Sequence, residues 1–187
     1  EGVMQNKLTG LLVTLAAILA TGCAAVVQPS YQQPPTVVNP GKVVYVSLSA
    51  APDIKTDDED YSNSMTEFKS ELTQKFSESL PGTNLAFSPP PAGSNLGEQL
   101  NITVTDFNYV SGAGRFWGGI FAGHAKLQVH VVITDLKDGK QLDDASFGTS
   151  SSNGEGVFGA TTSRQLDSVS SAIVRLFGGQ VPSTSTQ

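Results

Sequence analysis

Apolar residues recur at two different periods between Lys42 and Phe177, and that switching confines the chain to a fold of mixed strands and helices. Over residues 42–49, Val44, Val46 and Leu48 alternate with Tyr45 and Ser47, the two-residue period of a strand with one dry face. Met65, Phe68, Leu72, Phe76 and Leu80 follow at spacings of three and four, which is one face of a helix that Pro81 and Gly82 stop. Ser64 and Glu67 read as a capping box for it. The acidic run Asp57, Asp58, Glu59 and Asp60 suits the positive end of that helix's dipole and lacks the alternating ligand spacing of a calcium loop. A short strand is expected over residues 84–88, ahead of the turn-forming Pro89, Pro90, Pro91, Ala92 and Gly93. Leu100, Ile102 and Val104 alternate with Asn101, Thr103 and Thr105, and the parity slips at Phe107 and Tyr109. The longest strand covers residues 126–136, with Leu127, Val129, Val131 and Ile133 facing one way; Asp138 and Gly139 turn the chain into a strand over 140–150. A second helix over 163–177 buries Leu166, Val169, Ile173 and Leu176.

Five strands and two helices in that order imply an α+β domain over residues 42–177, a two-layer sandwich with a mainly antiparallel sheet and both helices on one face. A length of 187 residues suits one such domain with flexible ends, and the Gly, Ser and Thr-rich residues 178–187 are expected to be disordered. A net charge of -6 provides no basic field for gathering phosphates, which argues against a nucleic-acid partner.

Ahead of the domain, Lys7 precedes an apolar run over residues 8–20, broken only by Thr9, Gly10 and Thr14. That is a signal-peptide layout, too short for the roughly 20 residues of a membrane-spanning helix. The run ends in Leu19, Ala20, Thr21, Gly22 and Cys23, which resembles a lipobox, the site where a cysteine receives a diacylglyceryl group and the chain is cleaved before it. Lipoboxes usually carry Leu three residues before the cysteine; here Ala20 holds that place and Leu19 stands one step earlier. Cys23 is the chain's one cysteine, which excludes an internal disulfide and paired-cysteine zinc motifs. The bland alternative is an ordinary signal peptide cut nearby, with Cys23 left as an idle thiol. Residues 1–22 are therefore read as the signal, of which 1–3 precede a plausible start at Met4. Ala24 in place of aspartate resembles lipoproteins that Gram-negative bacteria forward to the outer membrane, and implies an envelope address with the domain in the periplasm. Residues 23–41, with Pro29, Pro34, Pro35 and Pro40, read as an extended tether that would hold the domain roughly 50 Å from the lipid at about 3.1 Å per residue.

The most distinctive stretch runs from Gly112 through Arg115, Phe116, Trp117, Gly118, Gly119, Ile120 and Phe121 to Gly123. With the strand after it and the Asp138 and Gly139 turn, it resembles a family of uncharacterised bacterial envelope lipoproteins, over residues 100–177. That resemblance implies a fold and an address and no activity. Three readings of the stretch stand open. Its aromatics fold back onto the core from a glycine-permitted connection; or Arg115, Phe116, Trp117, Ile120 and Phe121 form a partner-binding surface with the composition of an interface hot spot; or the small-residue spacing marks shallow membrane contact.

Catalytic patterns are weaker. His124 and His130 are the only histidines, and a two-histidine metal site would need a carboxylate partner. No serine sits in a Gly-x-Ser-x-Gly elbow, and the glycine run lacks the Gly-Lys-Ser/Thr ending of a phosphate loop. Asp143 and Asp144 read as a solvated strand edge. The expected protein is thus a lipid-anchored, non-enzymatic accessory or assembly subunit with a protein partner, no cofactor and no metal. The alternatives are an envelope enzyme whose site assembles only in space, which a cleft joining His130 to two carboxylates would favour, and a membrane-contacting surface lipoprotein.

Overall fold

In the computed structural model, residues 27–31, 43–108, 126–150 and 162–178 are described. They form β1 (Val27–Tyr31), β2 (Val43–Ala50), α1 (Glu59–Ser79), β3 (Asn84–Ala86), β4 (Glu98–Asn108), β5 (Lys126–Asp135), β6 (Gln141–Ser150) and α2 (Thr162–Leu176). The strands make one six-stranded sheet in the order β1-β6-β5-β4-β2-β3. The β1–β6, β6–β5 and β5–β4 pairs are antiparallel, whereas β2 is parallel to both β3 and β4. The fold is α+β, with a mixed, mainly antiparallel sheet under two helices.

Alternation decides which face is dry. Val44 and Val46 of β2, Leu100, Ile102 and Val104 of β4, Leu127, Val129, Val131 and Ile133 of β5, and Ala145 and Phe147 of β6 are all buried in one core. Tyr61, Met65, Phe68, Leu72 and Phe76 of α1 join it from above, as do Leu166, Val169, Ile173 and Leu176 of α2. The helices touch each other at their ends, where Phe76 and Phe177 meet edge to face at 5.0 Å, and through an ion pair from Lys75 to Asp167 at 2.6 Å.

The parity slip at Phe107 is a β-bulge. Register shifts between Val104 and Asp106, so Phe107 comes opposite Leu127 on the core side and packs edge to face on Tyr61 at 5.3 Å. At the other end of β4, Gly97 has φ +99, and a Cβ there would lie 2.3 Å from the Val43 carbonyl oxygen. Only glycine lets β4 begin so close to β2.

Four expectations are corrected. Helix α1 starts at Glu59, not near Ser64: Asp58 is the N-cap, its Oδ1 accepting from the Asp60 N–H at 2.9 Å, and Ser64 is buried inside the helix. The competing Ser and Glu pair lost because the carboxylates upstream satisfy the free N–H groups sooner. Strand β3 stops at Ala86, short of Ser88. Residues 27–31, assigned to the tether, form β1 and pair with β6 from Val27↔Thr149 to Tyr31↔Ala145. Pro29 hid that strand, yet proline is tolerated on a sheet edge, where one row of N–H groups has no ladder to join. β1 in turn overturns the reading of Asp143 and Asp144 as a solvated edge: β6 lies between β5 and β1, and Asp143 is 1% exposed.

Candidate functional site

Both helices cover one face of the sheet, so chemistry available to a partner lies on the other face, at the rims or in the loops. The uncovered face carries Tyr45, Ser47 and Ser49 of β2, Gln99, Asn101 and Thr103 of β4, Gln128, His130, Val132 and Thr134 of β5, and Asp144 and Ser146 of β6. Most of these side chains are half-buried, and the face is built of hydroxyls and amides. They tie one another down: the Ser49 and Thr103 hydroxyls lie 3.2 Å apart, and the Gln99 amide donates to Asn101 at 3.1 Å.

One row crosses the sheet at His130. Register sets Ser49 beside Thr103, Thr103 beside His130 and His130 beside Ser146. His130 Nε2 lies 2.8 Å from Asp144 Oδ1, and the Gln141 amide donates to Asp144 Oδ2 at 3.1 Å. A nucleophilic triad needs the imidazole hydrogen-bonded to a hydroxyl as well as to a carboxylate. Among the described residues His130 bonds to Asp144 alone. It also meets one carboxylate rather than two, since neighbours in a strand point to opposite faces and Asp143 turns into the core. Among the described residues no group of three or more His, Cys, Asp or Glu could hold a metal ion.

The second candidate region is the rim where β4 ends and β5 begins. Asn108 pairs with Lys126, and Lys126 Nζ bonds Asp106 Oδ2. The loop after β2 sits beside them, the Ala51 N–H donating to the Val104 carbonyl at 2.8 Å. Asp53, Ile54, Lys55, Asp58, Asp60, Phe107 and Asn108 line an open cleft there of about 350 Å³. Burial in the adjoining core pushes the Tyr61 phenol above its ordinary pKa, because phenolate would lose its water.

The residues singled out from sequence, Cys23, Arg115, Phe116, Trp117, Ile120 and Phe121, lie outside the described residues, as does His124. The structure does fix where the chain carrying the aromatics departs and returns: it leaves β4 at Asn108 and enters β5 at Lys126, at the same rim as the cleft. The open polar face was missed by the sequence reading. Its signal was present in the polar half of each alternating strand, read only as the complement of the core.

With this geometry in hand, the comparisons can be placed. The model of a family described as a domain of unknown function, DUF4410, matches residues 34–155, more than half of the chain. The chain belongs to the DUF4410 family. That match spans β2 to β6, so the DUF4410 region supplies most of the sheet, while β1 and α2 lie beyond it. No curated protein sequence matches the chain. Among solved structures, the fold is similar to that of PelC from Paraburkholderia phytofirmans, solved as a dodecamer. The TM-score is 0.55 at 13% identity, covering 83% of this chain and 100% of that one. A point variant of the same dodecamer gives 0.52 at 12% identity, with the same coverage. A weaker likeness, TM-score 0.40 at 17% identity, covers 73% of this chain and 98% of lipoprotein GNA1162 from Neisseria meningitidis. Among the described residues no helix is long and apolar enough to cross a membrane.

Proposed function

We propose that this DUF4410 chain is a lipid-anchored protein of the bacterial cell envelope that works as an assembly or accessory subunit, through contacts with other protein subunits rather than by catalysis. The observation that carries the reading is the division of the sheet: one face is closed by both helices, and the other is a broad hydroxyl and amide surface beside a rim from which residues 109–125 depart. Such a surface, with the Arg115, Phe116, Trp117, Ile120 and Phe121 cluster as its aromatic anchor, has the makeup of a contact patch. PelC, similar in fold over its whole length, is a dodecamer, which supports copies of this chain as a first partner. The lipid anchor at Cys23, with the protein in the outer membrane and the domain in the periplasm, is supported by the apolar run ahead of that cysteine.

The test is crosslinking in intact envelopes with identification of the captured chains, run beside metabolic labelling by a fatty-acid analogue. The expected result is a lipid-labelled protein captured with itself or with one envelope partner, and loss of label in the Cys23→Ser protein. Undiminished labelling of that variant overturns the anchor. Trp117→Ala should weaken capture by about 2 kcal/mol, roughly thirtyfold, with an unchanged melting curve. A collapsed melting curve returns the aromatics to the core.

A further inference from the structure

We propose that the end of the sheet at which β1 begins faces the lipid surface at close range, which rests on the lipid-anchor reading above. The argument is one of chain length. Val27 is already paired with Thr149, so only three residues separate Cys23 from the folded sheet. Four Cα-to-Cα steps reach at most about 14 Å even when fully extended. Read from sequence alone, the tether of residues 23–41 gave roughly 50 Å, because nothing in its composition showed that Val27–Tyr31 is committed to the sheet.

Register then says which end is held. Val27 lies opposite Thr149, Ser150 opposite Lys126, and Lys126 opposite Asn108, so the start of β1, the end of β6, the start of β5 and the end of β4 share one rim. The loop carrying Asp53, Ile54 and Lys55 sits beside Phe107 and Asn108 on that rim. Strand β1 runs away from the rim as it leaves Val27, so the chain before Val27 points outward past it. The β5–β6 turn at Asp138 and Gly139 lies at the opposite end, about 33 Å away along ten residues of strand. A 14 Å link cannot bring that end to the bilayer while the rim is held.

Charge sets how close the contact becomes. The rim loop and the helix start carry Asp53, Asp57, Asp58, Glu59 and Asp60 against Lys55, and Lys126 is engaged by Asp106. Acidic groups within a Debye length of the headgroups resist insertion, so the anchor supplies the affinity and the rim rides on a zwitterionic surface.

The experiment uses the full lipidated protein in phosphatidylcholine vesicles containing a lipid with a nitroxide headgroup. With Cys23 acylated, a second cysteine is the single free thiol for a fluorescent probe. Probes at Asn108→Cys and Thr56→Cys, on the rim, should be quenched severalfold more than one at Lys137→Cys beside the distal turn. A flexible Gly/Ser insert of ten residues between Ala25 and Val26, which adds roughly 17 Å of mean reach, should abolish the difference. Equal quenching at all three sites without the insert overturns the proposal, as does stronger quenching at Lys137→Cys. Rapid amide exchange across Val27–Tyr31 removes its premise. If the protein stays in the aqueous fraction without lipid label, the anchor reading itself has failed, and that outcome is separate from any quenching result.

Discussion

The two faces of this sheet are made from the same strands and obey opposite rules. Toward the helices, every side chain of β5 from Leu127 to Ile133 at alternate positions is aliphatic and essentially unexposed. Away from them, the intervening positions Gln128, His130, Val132 and Thr134 are exposed or half-buried. The first face spends its residues on stability, since burying apolar area is what holds a small domain together. The second makes short-range polar bonds whose net contribution is small. The molecule's stability and its capacity for contact are therefore separable by mutation, one face at a time.

The sharpest way to break that comparison is to truncate a residue on each face. Phe68→Ala, from a side chain 1% exposed at the centre of the core, is expected to cost about 3 to 5 kcal/mol by denaturant unfolding. Thr103→Ala on the open face is expected to change stability by about 0.5 kcal/mol or less. Comparable losses from the two would mean that the open face is packed against something in the folded protein. Next in size is Gly97→Ala, placed where both faces begin. Positive φ and a backbone clash with Val43 together should cost about 1 to 3 kcal/mol and loosen the β2–β4 pairing, read as faster amide exchange in β2.

Smaller still is the histidine pair. His130→Ala removes the one imidazole–carboxylate contact on the open face, and with His130 37% exposed the expected loss is under about 1 kcal/mol. A larger loss would show that the row across the sheet acts as a unit. The smallest effect is an alkaline one. Because folding raises the Tyr61 pKa, the unfolded chain gives up that proton first, and stability falls as pH rises from the ordinary phenol value of 10.0 through the raised one. Tyr61→Phe should flatten that alkaline limb of the stability curve and leave neutral pH nearly untouched.

How legible these regions were in the sequence follows from the same contrast. The stripe Met65, Phe68, Leu72 and Phe76, and the alternation in β4 and β5, announce themselves because burial repeats along a continuous segment. Even the bulge left a trace in the misplaced parity of Phe107. What escaped was set by neighbours distant in the chain. Val27–Tyr31 has no alternation to betray it and becomes a strand only because β6 offers an edge. Asp143 reads as solvent-facing until β1 covers that edge. The start of α1 was misplaced by a choice between two local caps, Asp58 and Ser64, that sequence patterns weigh equally. The cysteine was legible as a candidate anchor, whereas its distance from the fold depended wholly on that hidden strand.

The pairing of β1 with β6 also sets an order of events. A chain made and moved from its N-terminus presents Val27 long before Thr149, roughly a hundred and twenty residues later, so the first strand to appear is the last that can find its place. Strands β2 to β5 and helix α1 can assemble while β1 waits, and the sheet reaches its final width only when β6 arrives. Closure of that edge is thus a built-in report that the chain is complete through Ser150.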